Sequence, residues 1–220
     1  LTRFAASFGF ITVLTLLPDY IDALGVTGVT IGLFISDLEL ARTVGIVPLG
    51  WAGDRFSKRT VLLGAVAVSA LAYLVFAQVA SVEGFLTARL LQGLGLTGTG
   101  LLSLALVGDL APDDERANYI GKYNSFRMAA GILGSLGAGI LYTVTGFDVV
   151  FGLLVLLLVL AGLGIWSFID SDDTQVAGFA FTDLALNRKI VTLTSFRAQY
   201  AVAVSLVRKW VPIFVGVSAA

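Results

Sequence analysis

The chain has 220 residues, of which 57% are hydrophobic and 13% are charged. A soluble domain carries about a quarter charged residues, so this composition excludes an ordinary soluble enzyme, a disordered tail and a nucleic-acid binder with a basic stripe. The chain contains no Cys and no His, which excludes disulfide scaffolds, most zinc sites and Ser-His-Asp triads. A polytopic membrane protein remains, and for it we expect no metal site, no cofactor and no nucleic-acid partner.

Apolar runs of membrane length follow one another along the chain. A helix needs about 20 apolar residues to cross a hydrocarbon core of about 30 Å. Counting between charges gives four uninterrupted runs, and two more spans that contain charges lie upstream. We therefore predict six complete spans and a seventh that begins near 190–195 and is still running at Ala220. The six are Phe4–Ala23, Thr27–Pro48, Val61–Val82, Leu90–Gly108, Met128–Phe147 and Val149–Ile169.

The connections between the spans alternate in charge. Those near 19–27, 80–84 and 144–148 contain acidic residues and no Lys or Arg. Those near 50–60, 109–127 and 170–197, together with Arg3, carry ten basic residues. Because basic residues collect on the cytoplasmic side, we predict a multi-pass plasma-membrane protein with its N-terminus and its 170–195 loop in the cytoplasm. Ten Arg against four Lys, with no Cys, favour a prokaryotic source.

One long polar interval divides the chain. The expected organisation is a six-helix bundle over 1–169, a cytoplasmic linker over 170–189 and the truncated beginning of a C-terminal bundle over 190–220. Arg3 and Pro18 recur as Arg197 and Pro212 at the same offset, as in the internal repeats of transporters. The chain opens without Met and ends in an apolar run, so we expect it to be part of a longer protein.

The connection between the second and third spans carries the most specific motif, Gly-Trp-Ala-Gly-Asp-Arg-Phe-Ser-Lys-Arg over 50–59. It resembles the Gly-x-x-x-Asp-Arg-x-Gly-Arg/Lys-Arg/Lys signature of the major facilitator superfamily. Ser57 stands where that family usually has Gly, and Ser would be strained there if the position needs a positive φ. The matching residues are Gly50, Asp54, Arg55, Lys58 and Arg59.

Two further segments resemble the same family. The Arg-Leu-Leu-Gln-Gly-Leu-Gly segment that starts at Arg89 is similar to its Arg-x-x-Gln-Gly-x-Gly element in the fourth span. The segment from Asp109 to Arg116 resembles the loop after that span. Exporters of the family carry a Gly-Pro element in the fifth span, and Ser135 replaces its Pro here, which weakens an antiporter assignment.

The resemblance covers the whole chain and implies an all-α membrane protein. Its fold would be a six-helix transmembrane bundle of the major facilitator type, made of two three-helix repeats, with a partial seventh helix. Two such bundles rock around a central substrate site, so the missing C-terminal half would be a partner. The motif would form a cytoplasmic latch in which Asp54 is the acid and Asp109 and Arg116 are its candidate partners. Arg55, Lys58 and Arg59 would meet helix ends and lipid phosphate.

Asp37, Glu39 and Arg42 lie within the second predicted span, and Arg89 lies at the start of the fourth. A charge in a membrane interior costs roughly 3 kcal/mol or more unless it faces a cavity or a partner. Glu39 and Arg42 are three residues apart and either neutralise each other or serve a pathway. Asp37 points about 140° away from Arg42, so we expect it to face a cavity. The resemblance places Arg89, near Gln92, in the cavity, where it tunes a carboxylate or binds an anionic group. The alternative for Arg89 is a salt bridge between two helices.

Small residues in the spans predict close helix packing. We assign this role to Gly93, to Gly134 and to a row at i, i+4 and i+8 formed by Gly131, Ser135 and Gly139. The Gly-x-Gly-x-x-Gly pattern that begins at Gly93 lies in an uncharged membrane run, so we interpret it as packing and not as a dinucleotide site.

The function favoured by these patterns is secondary active transport, because this chain has no phosphate-binding loop of the Gly-x-x-x-x-Gly-Lys-Ser/Thr type. A small solute would cross by alternating access, coupled to protons through Asp37 or Glu39. The protein would then not be an enzyme, and its partners would be a solute, protons and the lipid bilayer. The alternative is a non-transporting membrane receptor or a membrane-embedded enzyme on the same helices.

Overall fold

The computed structural model describes residues 1–170 and, further along the chain, residues 192, 195–196, 199–204 and 207. Residues Leu1–Val176 form one compact unit and Ala177–Ala220 a second. The described residues after 191 are helical. Apart from Asp170, the predicted linker over 170–189 lies outside the described residues, as does most of the predicted seventh span. The domain boundaries therefore stay a prediction.

Residues 1–170 fold into helices joined by short turns. Positive φ angles of 61° at Gly25 and 57° at Gly28 form the turn between the second and third helices, a conformation that favours glycine. The fifth helix begins at a cap in which the Ser81 side chain accepts a hydrogen bond from the Gly84 amide at 3.1 Å. The helices are α1 (Thr2–Thr15), α2 (Leu17–Ala23), α3 (Val29–Arg55), α4 (Lys58–Ala77), α5 (Val82–Leu110) and α6 (Arg116–Phe168).

The first predicted span is divided into α1 and α2, which meet at an angle of 45°. Pro18 lies in the first turn of α2, where its missing amide hydrogen does not interrupt a helical hydrogen bond. The two helices together have the length and composition of one membrane span. The bent pair of α1 and α2 thus covers the predicted span Phe4–Ala23.

Helix α6 is long enough for two crossings. Its 53 residues would extend about 80 Å if straight, more than twice the hydrocarbon thickness. Gly146 interrupts it with a φ of 76° and a ψ of −175°. Before Gly146, the helix packs beside α1, with Tyr123 near Arg3 and Gly134 near Phe8. We call the segments on either side of Gly146 the first and second runs of α6.

The second run of α6 is antiparallel to α4. Phe151 stacks on Phe76 near the end of α4, and Arg59 at the start of α4 donates a hydrogen bond to the Trp166 carbonyl. The first run is parallel to α1, whereas the second run is antiparallel to α4. Because α1 and α4 begin at the same end of the bundle, the chain reverses at Gly146. The positive φ of this glycine is what allows the reversal.

Helices α4, α5 and α6 are each long and apolar enough to cross a membrane, and the bent pair of α1 and α2 is a fourth candidate. Helix α3 has the length but carries three charges in its middle. With the two runs of α6 counted separately, residues 1–170 contain six membrane-length segments, in agreement with the predicted number.

The predicted boundaries differ from the observed ones. The helix that contains the fourth predicted span, Leu90–Gly108, begins at Val82, and the helix that contains the fifth, Met128–Phe147, begins at Arg116. Likewise α3 continues past Pro48 to Arg55, so only Phe56 and Ser57 separate it from α4. Counting between charges finds apolar stretches, whereas backbone hydrogen bonding continues through charged residues at the helix ends.

Helices α3 and α5 run parallel, and α4 runs antiparallel to α5. Phe34 contacts Phe85 early in both α3 and α5, and Gly53 contacts Leu102 late in both. The starts of α1, α4 and α6 therefore meet the ends of α3 and α5. We call this the basic end, because Arg55, Lys58, Arg59 and Arg116 lie there. Its predicted cytoplasmic orientation stays a prediction.

Glycine in α5 lets the neighbouring backbones approach closely. A Cβ on Gly93 would lie 2.7 Å from the Leu38 carbonyl oxygen and 2.7 Å from the Ala41 Cβ of α3. A Cβ on Gly98 would lie 2.6 Å from the Ala65 Cβ of α4. The glycines of the Gly-x-Gly-x-x-Gly pattern thus pack against helices on two sides, as a membrane bundle requires.

The packing row of α6 lies one residue earlier than predicted. Gly131 and Gly139 have no described atom within 4 Å of an added Cβ, and Ser135 is exposed and bonds the Ile132 carbonyl of its own helix. Gly134 does pack, because its Cβ would lie 3.1 Å from the Phe8 carbonyl oxygen of α1. Residues at i, i+4 and i+8 share a helix face, so one row packs and the next faces away. The buried row is Ala130, Gly134 and Ala138.

Aromatic side chains close the core at the end opposite to the basic end. The Tyr20 hydroxyl donates a hydrogen bond to the Phe76 carbonyl at 2.9 Å, and its ring packs against Phe85 and Phe147. Phe34 and Phe85 stack with ring centroids 4.1 Å apart. These rings join helices α2, α3, α4, α5 and α6 at one level. Offset aromatic packing of this kind stabilises an interior beyond its buried area.

The two kinds of glycine give a matched pair of variants. Gly93→Ala should destabilise the bundle by about 1–3 kcal/mol, because a backbone carbonyl cannot move aside for the new methyl group. Gly131→Ala should be neutral or slightly stabilising, because alanine favours helix and has room there. Unfolding of the chain in detergent micelles, followed by circular dichroism, measures both. Equal destabilisation by the two variants would contradict the proposed register.

Candidate functional site

A buried ion pair crosses the interface between α3 and α5. The Arg89 Nε lies 3.6 Å from the Asp37 Oδ1, and the two side chains are only 2% and 8% exposed. Both residues lie well inside their helices, two to three turns from the helix starts. A charge in a membrane interior needs a partner or a cavity, and each member of this pair supplies the other's partner.

Hydrogen bonds extend the ion pair to α4. Arg89 Nε also donates to the Phe34 carbonyl at 3.2 Å, and Arg89 Nη1 donates to Gln92 Oε1 at 3.1 Å. Gln92 Nε2 in turn donates to the Tyr73 hydroxyl at 3.3 Å. Asp37, Arg89, Gln92 and Tyr73 form what we call the buried polar network, which links three helices.

Helix α1 supports the far end of the buried polar network. The Tyr73 hydroxyl lies so close to Gly9 that a Cβ at that position would overlap it. Tyr73 itself is 2% exposed. The absence of a side chain at Gly9 therefore allows Tyr73 to reach Gln92, so the network depends on residues of four helices.

The intramembrane charges of α3 and α5 each have a partner in the structure. Glu39 and Arg42 form an ion pair of 3.1 Å in which both side chains are about two-fifths exposed, so they do neutralise each other. Asp37 was expected to face a cavity, but within the described residues it lies buried against Arg89. Arg89 takes the alternative role, a salt bridge between two helices, and its nearby carboxylate is Asp37.

The buried ion pair makes the contact between α3 and α5 depend on the charge of Asp37. Removing one charge from a buried ion pair leaves the other without compensation, at a cost of about 3–5 kcal/mol. Protonation of Asp37 would do this while Phe34 and Gln92 still hold the guanidinium of Arg89. No group of three or more His, Cys, Asp or Glu side chains that could hold a metal ion occurs among the described residues.

The latch motif lies at the basic end, but its contacts differ from those expected. Asp109 forms an ion pair with Lys58, in which Asp109 Oδ2 lies 3.1 Å from Lys58 Nζ. Arg116 donates to the Gly108 carbonyl at 3.1 Å and lies 3.4 Å from Asp113. The expected latch acid, Asp54, is exposed and takes part in none of the ion pairs among residues 1–170. Within this bundle, Asp109 is the acid that pairs with the basic motif.

Of the other basic motif residues, Arg59 meets the end of a neighbouring helix, whereas Arg55 contacts a residue of its own helix. The Arg59 side chain bonds the Trp166 carbonyl in the last turn of α6, where a cation is favourable to the helix dipole. The Arg55 guanidinium lies 5.9 Å from the centre of the Trp51 ring. The Arg59 contact joins α4 to the end of α6, while the Arg55 contact lies within α3.

The glycine and serine of the motif also differ from expectation. A Cβ on Gly50 would make ordinary contact with Leu101 at 3.7 Å, whereas one on Gly53 would overlap Leu102. Gly53, which the motif does not single out, is thus the tightly packed glycine. Ser57 has a φ of −56° and precedes α4 as its N-cap residue, so serine is unstrained where the family usually has glycine.

Sequence reasoning missed two parts of the site. Tyr73 is a polar residue in an apolar run, and that contrast was the available signal for it. Arg3, used only to assign orientation, lies over the ring of Tyr123 at 5.4 Å. The Tyr123 hydroxyl donates to the Gly100 carbonyl at 3.0 Å and lies 2.8 Å from the Ser103 hydroxyl. These contacts join α1, α5 and α6 and had no signal in the spacing.

Curated relatives are similar to the chain at low identity. A chloramphenicol resistance protein from Pseudomonas aeruginosa is 29% identical over 198 residues, which are 89% of this chain and 47% of that protein. An arabinose-proton symporter from Bacillus subtilis is 30% identical over 95 residues, or 43% of this chain and 20% of the symporter. The chain thus spans less than half the length of these relatives.

Solved structures share the fold. A bacterial homologue of the human lysosomal transporter Spinster, in an inward-facing and unoccupied conformation, has a TM-score of 0.67 at 18% identity and matches 84% of this chain with 45% of its own. The sequence profile of the Major Facilitator Superfamily matches residues 1–219. The bundle of residues 1–170, its motif at the basic end and this match agree, and the chain is a multi-pass membrane protein that belongs to the Major Facilitator Superfamily.

Proposed function

We propose that the chain is the N-terminal part of a secondary active transporter that moves a small solute by alternating access, coupled to protons. The observation that carries this proposal is the buried ion pair between Asp37 and Arg89. A salt bridge in a membrane interior is expensive to assemble and is a weak source of stability. Its presence therefore favours a functional role over a structural one.

The coupling step would be proton transfer to Asp37. With Asp37 ionised, Coulomb attraction to Arg89 holds α3 against α5. With Asp37 protonated, that attraction is lost, and Arg89 keeps only the hydrogen bonds to Phe34 and Gln92. A proton thus changes the energy of one helix arrangement relative to another, which is what a transporter needs to couple a gradient to rocking.

The family relation supports this proposal. One relative is named as an arabinose-proton symporter, and its name joins a small solute to a proton. Another is named for chloramphenicol resistance. Transporters of this family carry small solutes, so we favour transport over the receptor and enzyme alternatives. Uptake and efflux are both compatible with the ion pair.

The latch contacts would bias which side of the transporter is open. Lys58 at the start of α4 and Asp109 at the end of α5 lie 3.1 Å apart, with Asp109 about half exposed. An ion pair of this exposure contributes about 0.2–1 kcal/mol. That free energy is too small to hold the fold but large enough to shift a balanced equilibrium severalfold. The basic end would lie in the cytoplasm, and Asp54 would act on groups outside residues 1–170.

Asp37→Asn should abolish coupling. We expect solute flux driven by a proton gradient to fall about tenfold or more, because asparagine cannot exchange a proton and no longer attracts Arg89. Membrane vesicles with arabinose and chloramphenicol as first probes, with and without a proton uncoupler, measure this flux. Glu83→Gln, which removes an exposed acid at the start of α5, is the matched control and should leave flux unchanged.

A double variant separates coupling from folding. Asp37→Asn leaves Arg89 buried without its counter-charge, so the free energy of unfolding should fall by about 3 kcal/mol. Adding Arg89→Gln removes the uncompensated charge and should restore most of that stability while flux stays low. If the double variant restores proton-driven flux as well, the ion pair is only a structural link and the coupling proposal fails.

Charge exchange tests the latch. Lys58→Glu should lower the initial rate of transport about two- to fivefold, since it places an acid beside Asp109. The exchange K58E/D109K restores an ion pair and should recover the rate. Asp114→Asn, at an exposed carboxylate that forms no ion pair among residues 1–170, is the control. A double variant as slow as Lys58→Glu would show that this pair does not set the open side.

A further inference from the structure

Arginine residues of three helices occur near Gly100 of α5. Arg3 belongs to α1, Arg42 to α3 and Arg127 to the first run of α6. Arg127 follows Tyr123, over whose ring Arg3 lies, by one helical turn and so shares its helix face, and the charges of Arg42 and Arg127 both repel that of Arg3. We call these three residues the arginine cluster. Arg3 contacts α5 at Gly100, ten residues before the end of that helix. Ten helical residues extend about 15 Å, so Arg3, although it belongs to the first turn of α1, lies about that far along the bundle from the end of α5.

Arg3 is held in place by its surroundings. Its guanidinium lies 5.4 Å from the centre of the Tyr123 ring, and α5 fixes that ring through Gly100 and Ser103. A Cβ on Gly100 would lie 2.9 Å from Arg3 Nη1, so this glycine leaves the room that the guanidinium needs. A cation over an aromatic face is stabilised by the ring but keeps its donors available to an anion.

The arginine cluster has more positive charge than its surroundings neutralise. Arg42 pairs with Glu39 at 3.1 Å. Within the described residues, neither Arg3 nor Arg127 has a carboxylate within ion-pair distance, and the buried Nε of Arg3 has no hydrogen-bond partner. Uncompensated charges within a membrane bundle are unfavourable. The partly buried Arg3 therefore favours a negative partner from elsewhere, and the exposed Arg127 adds a second positive charge without a carboxylate beside it.

We propose that Arg3 and Arg127, with Arg42 beside them, bind an oxyanion, namely a carboxylate, sulfate or phosphate group of the transported solute. Guanidinium groups bind such groups through paired hydrogen bonds, and the ring of Tyr123 holds Arg3 ready for this. The inference rests on the proposed transport function and names its substrate class. Arg89, the sequence-based candidate for an anionic group, is already neutralised by Asp37.

Binding of sulfate to the purified chain tests the site without any need for transport. The chain is placed in phosphatidylcholine nanodiscs, and sodium sulfate is titrated calorimetrically at constant ionic strength. We expect saturable binding that Arg3→Gln and Arg127→Gln each weaken about tenfold or more, the loss of one charge-assisted contact. Arg127 is exposed, so its variant tests the site even if Arg3→Gln lowers stability.

Lys122→Gln is the matched control, because Lys122 lies one residue from Tyr123 but over the ring of Tyr119, at 5.2 Å. It removes the same charge and should leave sulfate affinity unchanged. Equal sulfate affinity in wild type and both arginine variants would overturn the proposal, as would a loss in Lys122→Gln equal to that in the arginine variants.

A second arm separates a solute from a lipid headgroup, which offers the same phosphate chemistry. Nanodiscs containing phosphatidylglycerol are prepared, and the lipid retained by the chain is counted by native mass spectrometry. Retention that Arg3→Gln abolishes, without sulfate binding in phosphatidylcholine, keeps the oxyanion site but assigns it to lipid. Absence of both sulfate binding and Arg3-dependent retention overturns the site. No proton gradient is used, so failure here leaves the coupling proposal standing, and failure of coupling leaves the site standing.

Discussion

The ion pair between Asp37 and Arg89 is the constraint on which the middle of this bundle depends. Two charged side chains, 3.6 Å apart and almost completely buried, can remain in a membrane interior only while both are present and hydrogen-bonded. Arg89 therefore needs the Phe34 carbonyl and Gln92, and Gln92 needs Tyr73. Helices α3, α4 and α5 are held in one register by this requirement for compensated charge.

Close packing is what makes that register possible. Gly93 lies one turn after Arg89, and the Leu38 carbonyl that its Cβ would strike lies one residue after Asp37. A larger side chain at position 93 would separate α3 from α5 at the level of the ion pair. Gly9 has the same effect for Tyr73 from the side of α1. Small residues and buried charges thus act together: the first permit the short distances that the second need.

Charged side chains are compensated in different ways in three parts of the bundle. In its middle, Asp37 compensates Arg89; at the basic end, Lys58 meets Asp109 and Arg59 meets a helix terminus. Near Arg3 and Arg127, compensation is incomplete among the described residues. The first arrangement suits a group that changes protonation, the second a weak contact that can open, and the third a site for an anion. The net charge of the chain, −1, does not distinguish these three environments.

The sequence alone determined the class of protein, the number of spans in residues 1–170 and the family, because hydropathy, charge alternation and the Gly50–Arg59 motif are local properties of the chain. It also indicated the Glu39–Arg42 pair, whose members are one turn apart on one helix. Only the tertiary structure decided that Asp37 belongs to Arg89, that Asp109 pairs with Lys58, and that Gly134 packs while Gly131 does not. Each of these depends on the rotation and register of one helix against another, and a shift of one residue turns a side chain by about 100°. Spacing along one chain cannot specify that rotation, since it is set by the packing of all the helices together.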